Sequence, residues 1–331
     1  MKAQAAVATQ PRRVEFLTVD APDPGPEDVV VRLTHSWISN GTEGSFIRGE
    51  RIAGDTPRKD TDPLPFPHIS GYQKVGVVEQ VGGAVSGVEV GETVFATVSK
   101  VEGMFYSFAG HISPAVTHGS QIWKIPPGLD PVAVSGLVLT QVGYNTGIRP
   151  ALSPGDAAVV IGDGMVGHWT AQTLQHRGAR VLLAGRHDER LAPFSPGASD
   201  RVVNVSREDL LEAARAFAPE GVQVIADTVG TISTLESLLP VMRHNGQISS
   251  AGFYGPRGLI DIQKLRNREI TLHTPAGWSK ERMDATLALL AQGALQTLPL
   301  ITHRFPAERA GEAFDLILSR REPVLGVILD W

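Results

Sequence analysis

The spacing of apolar and polar positions changes near residue 145. Before it, alternating runs such as Asp28-Val29-Val30-Val31-Arg32-Leu33, Gly76-Val77-Val78-Glu79-Gln80-Val81 and 87–95 are bounded by Gly and Pro. That is the pattern of short strands joined by tight turns. From about Asp156, apolar runs alternate with amphipathic stretches. Strands are predicted at 157–161, 181–185, 201–204, 222–227, 246–251 and 270–274, with helices between most of them, such as 208–218 and 231–243. Six strands with crossovers predict a doubly wound parallel sheet, so the chain is α/β with a separate β domain ahead of it. Helices at 280–292 and 307–318 and a strand at 324–329 form a tail expected to return to the first domain. The predicted boundaries are 1–145, 146–277 and 278–331. Residues 50–65, rich in Pro and charge, read as a mobile surface loop.

The first of the six strands runs into Gly162-Asp163-Gly164-Met165-Val166-Gly167 and then into a helical stretch. A G-x-G-x-x-G turn between strand and helix is the context of a dinucleotide site. Gly162 permits the turn, Gly164 lets the backbone approach a pyrophosphate, and Gly167 lets helix and strand pack closely. The helix N-terminus, at Met165 and Val166, offers free N–H groups to the phosphates. At the end of the second strand an NAD enzyme usually carries an acid for the ribose 2′-OH. Here Gly185 and Arg186 stand in that place. A guanidinium without an acid beside it suits a 2′-phosphate. The expected cofactor is therefore NADP(H), the alternative being that Arg186 lies in a solvated loop and other contacts hold NAD. Thr228 and Val229 end the fourth strand, and Gly252, Phe253 and Tyr254 follow the fifth. Ligands of this fold sit beyond those strand ends.

Composition narrows the class. The chain has 331 residues, 42% hydrophobic and 20% charged, with a formal net charge of -5. No basic block stands out, so nucleic acid and anionic membranes are not expected partners. No apolar run approaches the roughly 20 residues of a membrane span, and the N-terminus lacks a secretory apolar segment. A cytoplasmic location is the expectation. Cys is absent, which removes disulfides and thiolate chemistry.

The order of parts resembles the medium-chain dehydrogenase/reductase superfamily, whose members join a GroES-like β domain to a Rossmann domain with the C-terminus folding back. The likeness covers essentially the whole chain. It is carried by Ser39-Asn40-Gly41-Thr42-Glu43, Ser70-Gly71-Tyr72, Val75-Gly76-Val77-Val78, Gly91-Glu92-Thr93-Val94, Gly143-Tyr144, the glycine fingerprint, Asp227-Thr228-Val229-Gly230 and Gly246-Gln247-Ile248. The C-terminal third is similar to the 3-hydroxyethyl bacteriochlorophyllide a dehydrogenases in Ala251-Gly252-Phe253-Tyr254, Ile301-Thr302-His303, Gly311-Glu312-Ala313-Phe314 and Ile328-Leu329-Asp330-Trp331.

Zinc-using members place Cys, His-Glu and Cys at three stations around the nicotinamide. The resemblance sets Asn40, Tyr72 with Gln73, and Val138 at those stations, and the family's four-Cys lobe is missing. An amide, a phenol and a Val make a poor tetrahedral set, so neither a catalytic nor a structural zinc is expected. The ten His residues lack metal-ligand spacing.

Without a metal, hydrogen-bond or proton donors must steady the charge on a substrate oxygen. The resemblance offers Tyr72 as acid/base or oxyanion donor, Thr42 at the family's hydroxyl relay, Asn40 as an amide donor, and Glu43 to orient the relay or bind a ribose hydroxyl. The alternatives are that Tyr72 fills the volume a metal leaves and that Asn40 is a turn residue. Tyr106, His111, Gln141 and Tyr144 are expected to line the substrate pocket. Lys74 reads as a solvated or ion-paired strand residue. The implied function is zinc-independent hydride transfer between NADP(H) and an alcohol/ketone pair on a small molecule. Quinone or enone reduction and catalytically silent NADPH binding remain alternatives. The sixth strand would be a sheet edge, and edges invite pairing, so a homodimer through that edge is expected.

Overall fold

The computed structural model describes residues 1–254 and 258–331. The chain divides into two compact units, Met1–Val138 with Thr297–Trp331, and Leu139–Gln296. The first boundary expected from sequence lies inside a helix, Leu137–Ile148. Residues 278–296 group with the second unit, and the returning segment starts at Thr297.

In the first unit, β1 (Lys2–Gln10) and β2 (Arg13–Asp20) form an antiparallel pair, and β1 also takes the short strands His68–Ile69 and Ile112–Ser113. Strand β3 (Asp28–Trp37) is buried on both faces. Val29 and Val31 pack with Val78 and Val94, while Val30 and Leu33 pack with Ala5, Val7 and Ile112. Helix α1 (Asn40–Ile47) follows, buried along Glu43, Gly44, Ser45 and Ile47. Strand β3 pairs with β4 (Lys74–Val81) and β6 (Ala115–His118), and β5 (Thr93–Ala96) lies between β4 and β7 (Ile122–Lys124). The alternating run 87–95 yields a strand only from Thr93, because Gly87 and Gly91 take φ of 81° and 89° and turn the chain. The segment 50–65 holds a small hairpin, Arg51–Ala53 with Thr56–Pro57, in which Arg51 is buried.

The second unit opens on α2 (Leu137–Ile148). A parallel sheet follows, formed by β8 (Ala157–Ile161), β9 (Arg180–Gly185), β10 (Arg201–Asn204), β11 (Val222–Asp227), β12 (Met242–Ser250) and β13 (Thr271–His273) in the order β10-β9-β8-β11-β12-β13. This is the doubly wound order that the alternation predicts. Along β8, Ala157, Val159 and Ile161 face one apolar cluster and Ala158 and Val160 face another, so helices cover both sides. Burial of each Val or Ile side chain among these contributes roughly 1.5–3 kcal/mol. The helices include α3 (Met165–His176), α4 (Leu210–Phe217, capped by Asp209) and α5 (Lys280–Ala291). The helix expected over 231–243 stops at Ser237. Pro240 has no N–H to continue it, and the chain enters β12 at Met242.

The tail completes the first unit. Strand β14 (Ile301–Pro306) lies parallel to β15 (Gly326–Asp330), which pairs with β3, and α6 (Ala310–Ser319) packs through Phe314 against Ile38 and Ile47. No helix among the described residues is long and apolar enough to cross a membrane.

Candidate active site

In the second unit, Gly162 takes φ 127°, and a Cβ on Gly167 would lie 2.0 Å from the Gly162 carbonyl oxygen. Turn and helix therefore touch backbone to backbone. A Cβ on Gly164 would meet nothing within 4 Å, so the fingerprint leaves open space there. Gly164 caps α3 without a side-chain bond, and Met165 is buried while Val166 is half-buried. An open cradle at an uncapped helix start fits a pyrophosphate.

Strand β9 ends at Gly185 for a reason the sequence hides. A Cβ there would lie 2.4 Å from the Cβ of Asp163. Asp163 Oδ2 accepts from the backbone N–H groups of Arg186 (2.8 Å) and His187 (2.9 Å) and meets His187 Nδ1 at 2.8 Å. Burial alone raises its carboxyl, but the His187 side chain and the two backbone donors outweigh this and hold it below the usual carboxylate range. The fingerprint itself thus returns an acid to the strand end, with its charge already answered. Arg186 is exposed and pairs with no carboxylate among the described residues.

At the far ends of β11 and β12, two sequence candidates turn out to brace the backbone. Thr228 Oγ1 donates to the Ile161 carbonyl at 2.8 Å, and the Tyr254 hydroxyl donates to buried Asp227 at 2.6 Å. Burial, reinforced by the Asp227 carboxylate, pushes the Tyr254 phenol up. Asp227 also accepts the N–H groups of Val229, Gly230 and Thr231. The surface at these strand ends is left to Val229, 52% exposed, and Phe253, 45% exposed, with half-buried Gly252 beside them.

The first unit gathers a polar cluster around α1. The Tyr72 hydroxyl donates to Ser39 Oγ at 2.7 Å, and Thr42 also hydrogen-bonds it. Burial is the largest influence on this phenol, and the Glu43 charge adds to it. Its pKa is pushed up to about 12, so it is a proton-bearing donor across the neutral range. Tyr72 is half-buried and hydrogen-bonded. Asn40 Nδ2 donates to the Leu325 carbonyl at 2.6 Å. One of its two amide N–H groups is thereby engaged, and the buried Oδ1 has no partner among the described residues. Glu43 is 1% exposed and held by Ser39 N (2.7 Å), Ser70 Oγ (2.9 Å) and His111 Nε2 (2.8 Å). A carboxylate so enclosed cannot meet a ribose hydroxyl, which corrects that expectation.

The pocket candidates scatter. His111 is fully buried with both ring nitrogens engaged, so it lines no pocket. Tyr106 ties its hydroxyl to the Ile52 carbonyl at 2.8 Å, and its ring stacks on Phe108 and meets Phe46, Phe105 and His68 edge-on. Burial pushes its phenol up to about 12. Gln141 is fully buried with neither amide atom partnered among the described residues, and Tyr144, one turn on, is half-buried. Lys74 is not solvated, and it makes no ion pair among the described residues. Its amine is fully buried, 3.3 Å from the Ala109 carbonyl, and burial pushes it down to about 7.

The residues at the zinc stations do not fit the metal. Asn40 offers one amide oxygen, Tyr72 a phenol whose proton is held firmly, and Val138 no donor. No group of three His, Cys, Asp or Glu side chains converges among the described residues. Tetrahedral zinc draws on Cys, His and carboxylate ligands.

Ser39, Ser70 and Asp163 are the cluster members that sequence reasoning misses. Ser39 stands at a helix N-cap, where a serine reads as a cap, and Asp163 hides at a variable position of the fingerprint. The acid of G-D-G beside an acid-free Gly-Arg-His strand end is the one signal that pairs Asp163 with His187.

Comparison with known proteins places this geometry. The profile of the family described as zinc-binding dehydrogenase matches residues 166–292. A 2-desacetyl-2-hydroxyethyl bacteriochlorophyllide A dehydrogenase of Cereibacter sphaeroides is 26% identical over 100% of this chain and 99% of its own length. Among solved structures, a zinc-binding dehydrogenase of Sinorhizobium meliloti bound to NADP superposes with a TM-score of 0.84 at 18% identity, covering 100% of both chains. A protein of Escherichia coli CFT073 described as a short chain alcohol dehydrogenase, complexed with NADH, also gives 0.84, at 20% identity over 100% of this chain and 99% of that one. The fold expected from the sequence is met, and the curated relatives include a protein of the branch that the C-terminal third resembles.

Proposed function

We propose, for a chain that belongs to the medium-chain dehydrogenase/reductase superfamily, a zinc-independent oxidoreductase that moves hydride between NADP(H) and an alcohol/carbonyl pair. The observation that carries this reading is the Tyr72 phenol, pushed up to about 12 and bracketed by Ser39 and Thr42, at a station where relatives of the family use a metal ligand. Gly162, Gly164, Gly167 and the start of α3 would hold the pyrophosphate, and exposed Arg186 the 2′-phosphate. Val229, Gly252 and Phe253 offer an apolar seat to the nicotinamide. When bound, the nicotinamide supplies or accepts the hydride.

The chain's own residues handle the proton. In the reducing direction the Tyr72 hydroxyl turns from Ser39 toward the substrate oxygen and gives up its proton as the carbonyl becomes an alcohol. A phenol that holds its proton through the neutral range suits an oxygen that becomes basic only as hydride arrives. Ser39 and Thr42 steady the phenolate, and half-exposed Thr42 passes a proton back from solvent. In oxidation each move reverses.

The rings of Phe46, Phe105, Tyr106 and Phe108 favour an apolar, ring-bearing substrate. Thr42 and Phe46 are both half-exposed and lie four residues apart on one face of α1. The same reading includes a homodimer through β13, whose Leu272 is exposed on the edge strand. Only monomer in sedimentation would reject it.

Titration calorimetry with NADPH and NADH, followed by a panel of aldehydes, ketones, enones and quinones, tests the whole. The proposal expects tighter NADPH binding and carbonyl turnover. Quinone or enone reduction that survives Tyr72→Phe points instead to C=C or quinone chemistry, and tight NADPH binding without turnover to a silent protein.

A further inference from the structure

We propose that His111 is a positioning residue for the reaction proposed above, a reading on which this inference rests: its Nε2–H holds Glu43, and Glu43 holds the Ser39 segment that seats the Tyr72 phenol. The links are continuous within the first unit. Trp331 Nε1 donates to Ser36 Oγ at 2.8 Å, Ser36 Oγ meets His111 Nδ1 at 2.8 Å, and His111 Nε2 meets Glu43 Oε2 at 2.8 Å. Glu43 Oε1 then accepts Ser39 N at 2.7 Å, and Ser39 Oγ accepts the Tyr72 hydroxyl at 2.7 Å.

The carboxyl oxygen Oε2 that faces the ring accepts, so the geometry assigns the hydrogen to His111 Nε2. Ser36, whose oxygen already receives the Trp331 N–H, backs the other nitrogen. Phe314 meets the ring edge-on at 5.9 Å and closes the remaining side. Ser36, His111, Glu43 and Ser39 are all buried, so none of the four meets substrate from solvent.

The connection to Tyr72 lies in an unusual cap. Ser39 stands at the N-cap of α1 yet makes no side-chain capping bond. Glu43 reaches back to the Ser39 backbone N–H instead, and the serine hydroxyl stays available to the phenol. Loss of the His111 donor leaves a buried carboxylate short of one partner, and such a group pulls its neighbours toward another arrangement. A shift of about 1 Å in a positioning group costs a reaction roughly a hundredfold.

The test uses the full-length chain with histidine labelled in nitrogen-15, and benzaldehyde with NADPH as the reaction probe. The spectrum is expected to show a proton on His111 Nε2. His111→Leu should lower kcat about tenfold or more, the loss of one buried hydrogen bond, with KM for benzaldehyde and the Kd for NADPH within about twofold. His111→Gln restores a donor and should recover most of the loss. Ser36→Ala, a smaller change that keeps the ring in place, should move the Nδ1 resonance and lower kcat by a few-fold.

A proton on Nδ1 alone overturns the inference. So does an unchanged kcat in His111→Leu, or a loss shared equally by NADPH binding and left unrescued by glutamine. If the unsubstituted protein turns over no carbonyl, the functional reading falls and the role of His111 in it falls too. The spectrum separates that outcome from a failure of the hydrogen-bond chain itself.

Discussion

Ser39 sits at a helix N-cap, yet its Oγ accepts the Tyr72 hydroxyl, 2.7 Å away, and makes no capping bond to the helix. An N-cap serine ordinarily contributes about 1 kcal/mol to a helix. Here that bond is forgone, Glu43 satisfies the serine's own N–H, and a phenol gains a partner in return. The exchange makes the Tyr72 hydroxyl the group to remove first.

Tyr72→Phe takes away the hydroxyl and leaves the ring. Turnover of a carbonyl substrate should fall roughly a hundredfold or more, as expected for loss of a positioned general acid. NADPH affinity should stay within about twofold, because the nucleotide groups lie in the other unit. Steady-state kinetics and calorimetry on the same preparation check both halves.

Arg186→Gln removes the exposed guanidinium and keeps Gly185 and Asp163 in place. NADPH should bind roughly 10- to 100-fold more weakly, the loss of a charge-assisted contact to phosphate, while NADH affinity hardly moves. Calorimetry with the two nucleotides reads the difference. Equal loss for both would assign Arg186 to the loop and not to the 2′-phosphate.

Phe108 is 44% exposed and stacks on Tyr106, whose ring also meets Phe46. If these rings seat the substrate, kcat/KM should be higher for benzaldehyde than for acetaldehyde. Phe108→Ala should narrow that preference by roughly tenfold, the worth of one lost apolar contact surface. Competition kinetics with the two aldehydes measures it.

Lys74 carries a pH signature. Its buried amine is pushed down to about 7, against 10.5 in a free lysine. Below pH 7 both folded and unfolded chains hold the proton, and the fold bears the full cost of a buried charge. As pH rises from 7 toward 10.5 the native amine loses its proton first. The unfolded state then binds more protons, and stability rises with pH. Lys74→Met should therefore stabilise the protein at pH 6 by roughly a few kcal/mol, since each tenfold loss of proton affinity on folding costs about 1.4 kcal/mol. The gain should shrink toward pH 10. Urea unfolding at several pH values tests the sign.

The alternation of apolar and polar residues made the Rossmann sheet legible strand by strand, because parallel strands buried on both faces read as continuous apolar runs between helices. The β unit was harder. Alternation over 87–95 is broken by glycines at positive φ, and pairing between distant segments, such as β15 with β3, leaves no local trace. At the site, residue types at the family's stations pointed to Tyr72 and Thr42, and the acid-free end of the second Rossmann strand pointed to Arg186. What they could not reveal was which hydrogen bonds were already taken. Asn40 spends one N–H on Leu325, Tyr254 serves Asp227, and His111 is buried behind Glu43. Each of those partners lies 27 or more residues away, beyond the reach of any local pattern.

The central claim is that a phenol and its hydroxyl neighbours, not a metal ion, support hydride transfer. The most direct measurement follows oxidation of NADPH with benzaldehyde in protein exhaustively treated with chelator, before and after zinc is added. The account predicts the same rate in both. Activity lost on chelation and restored by stoichiometric zinc would contradict it.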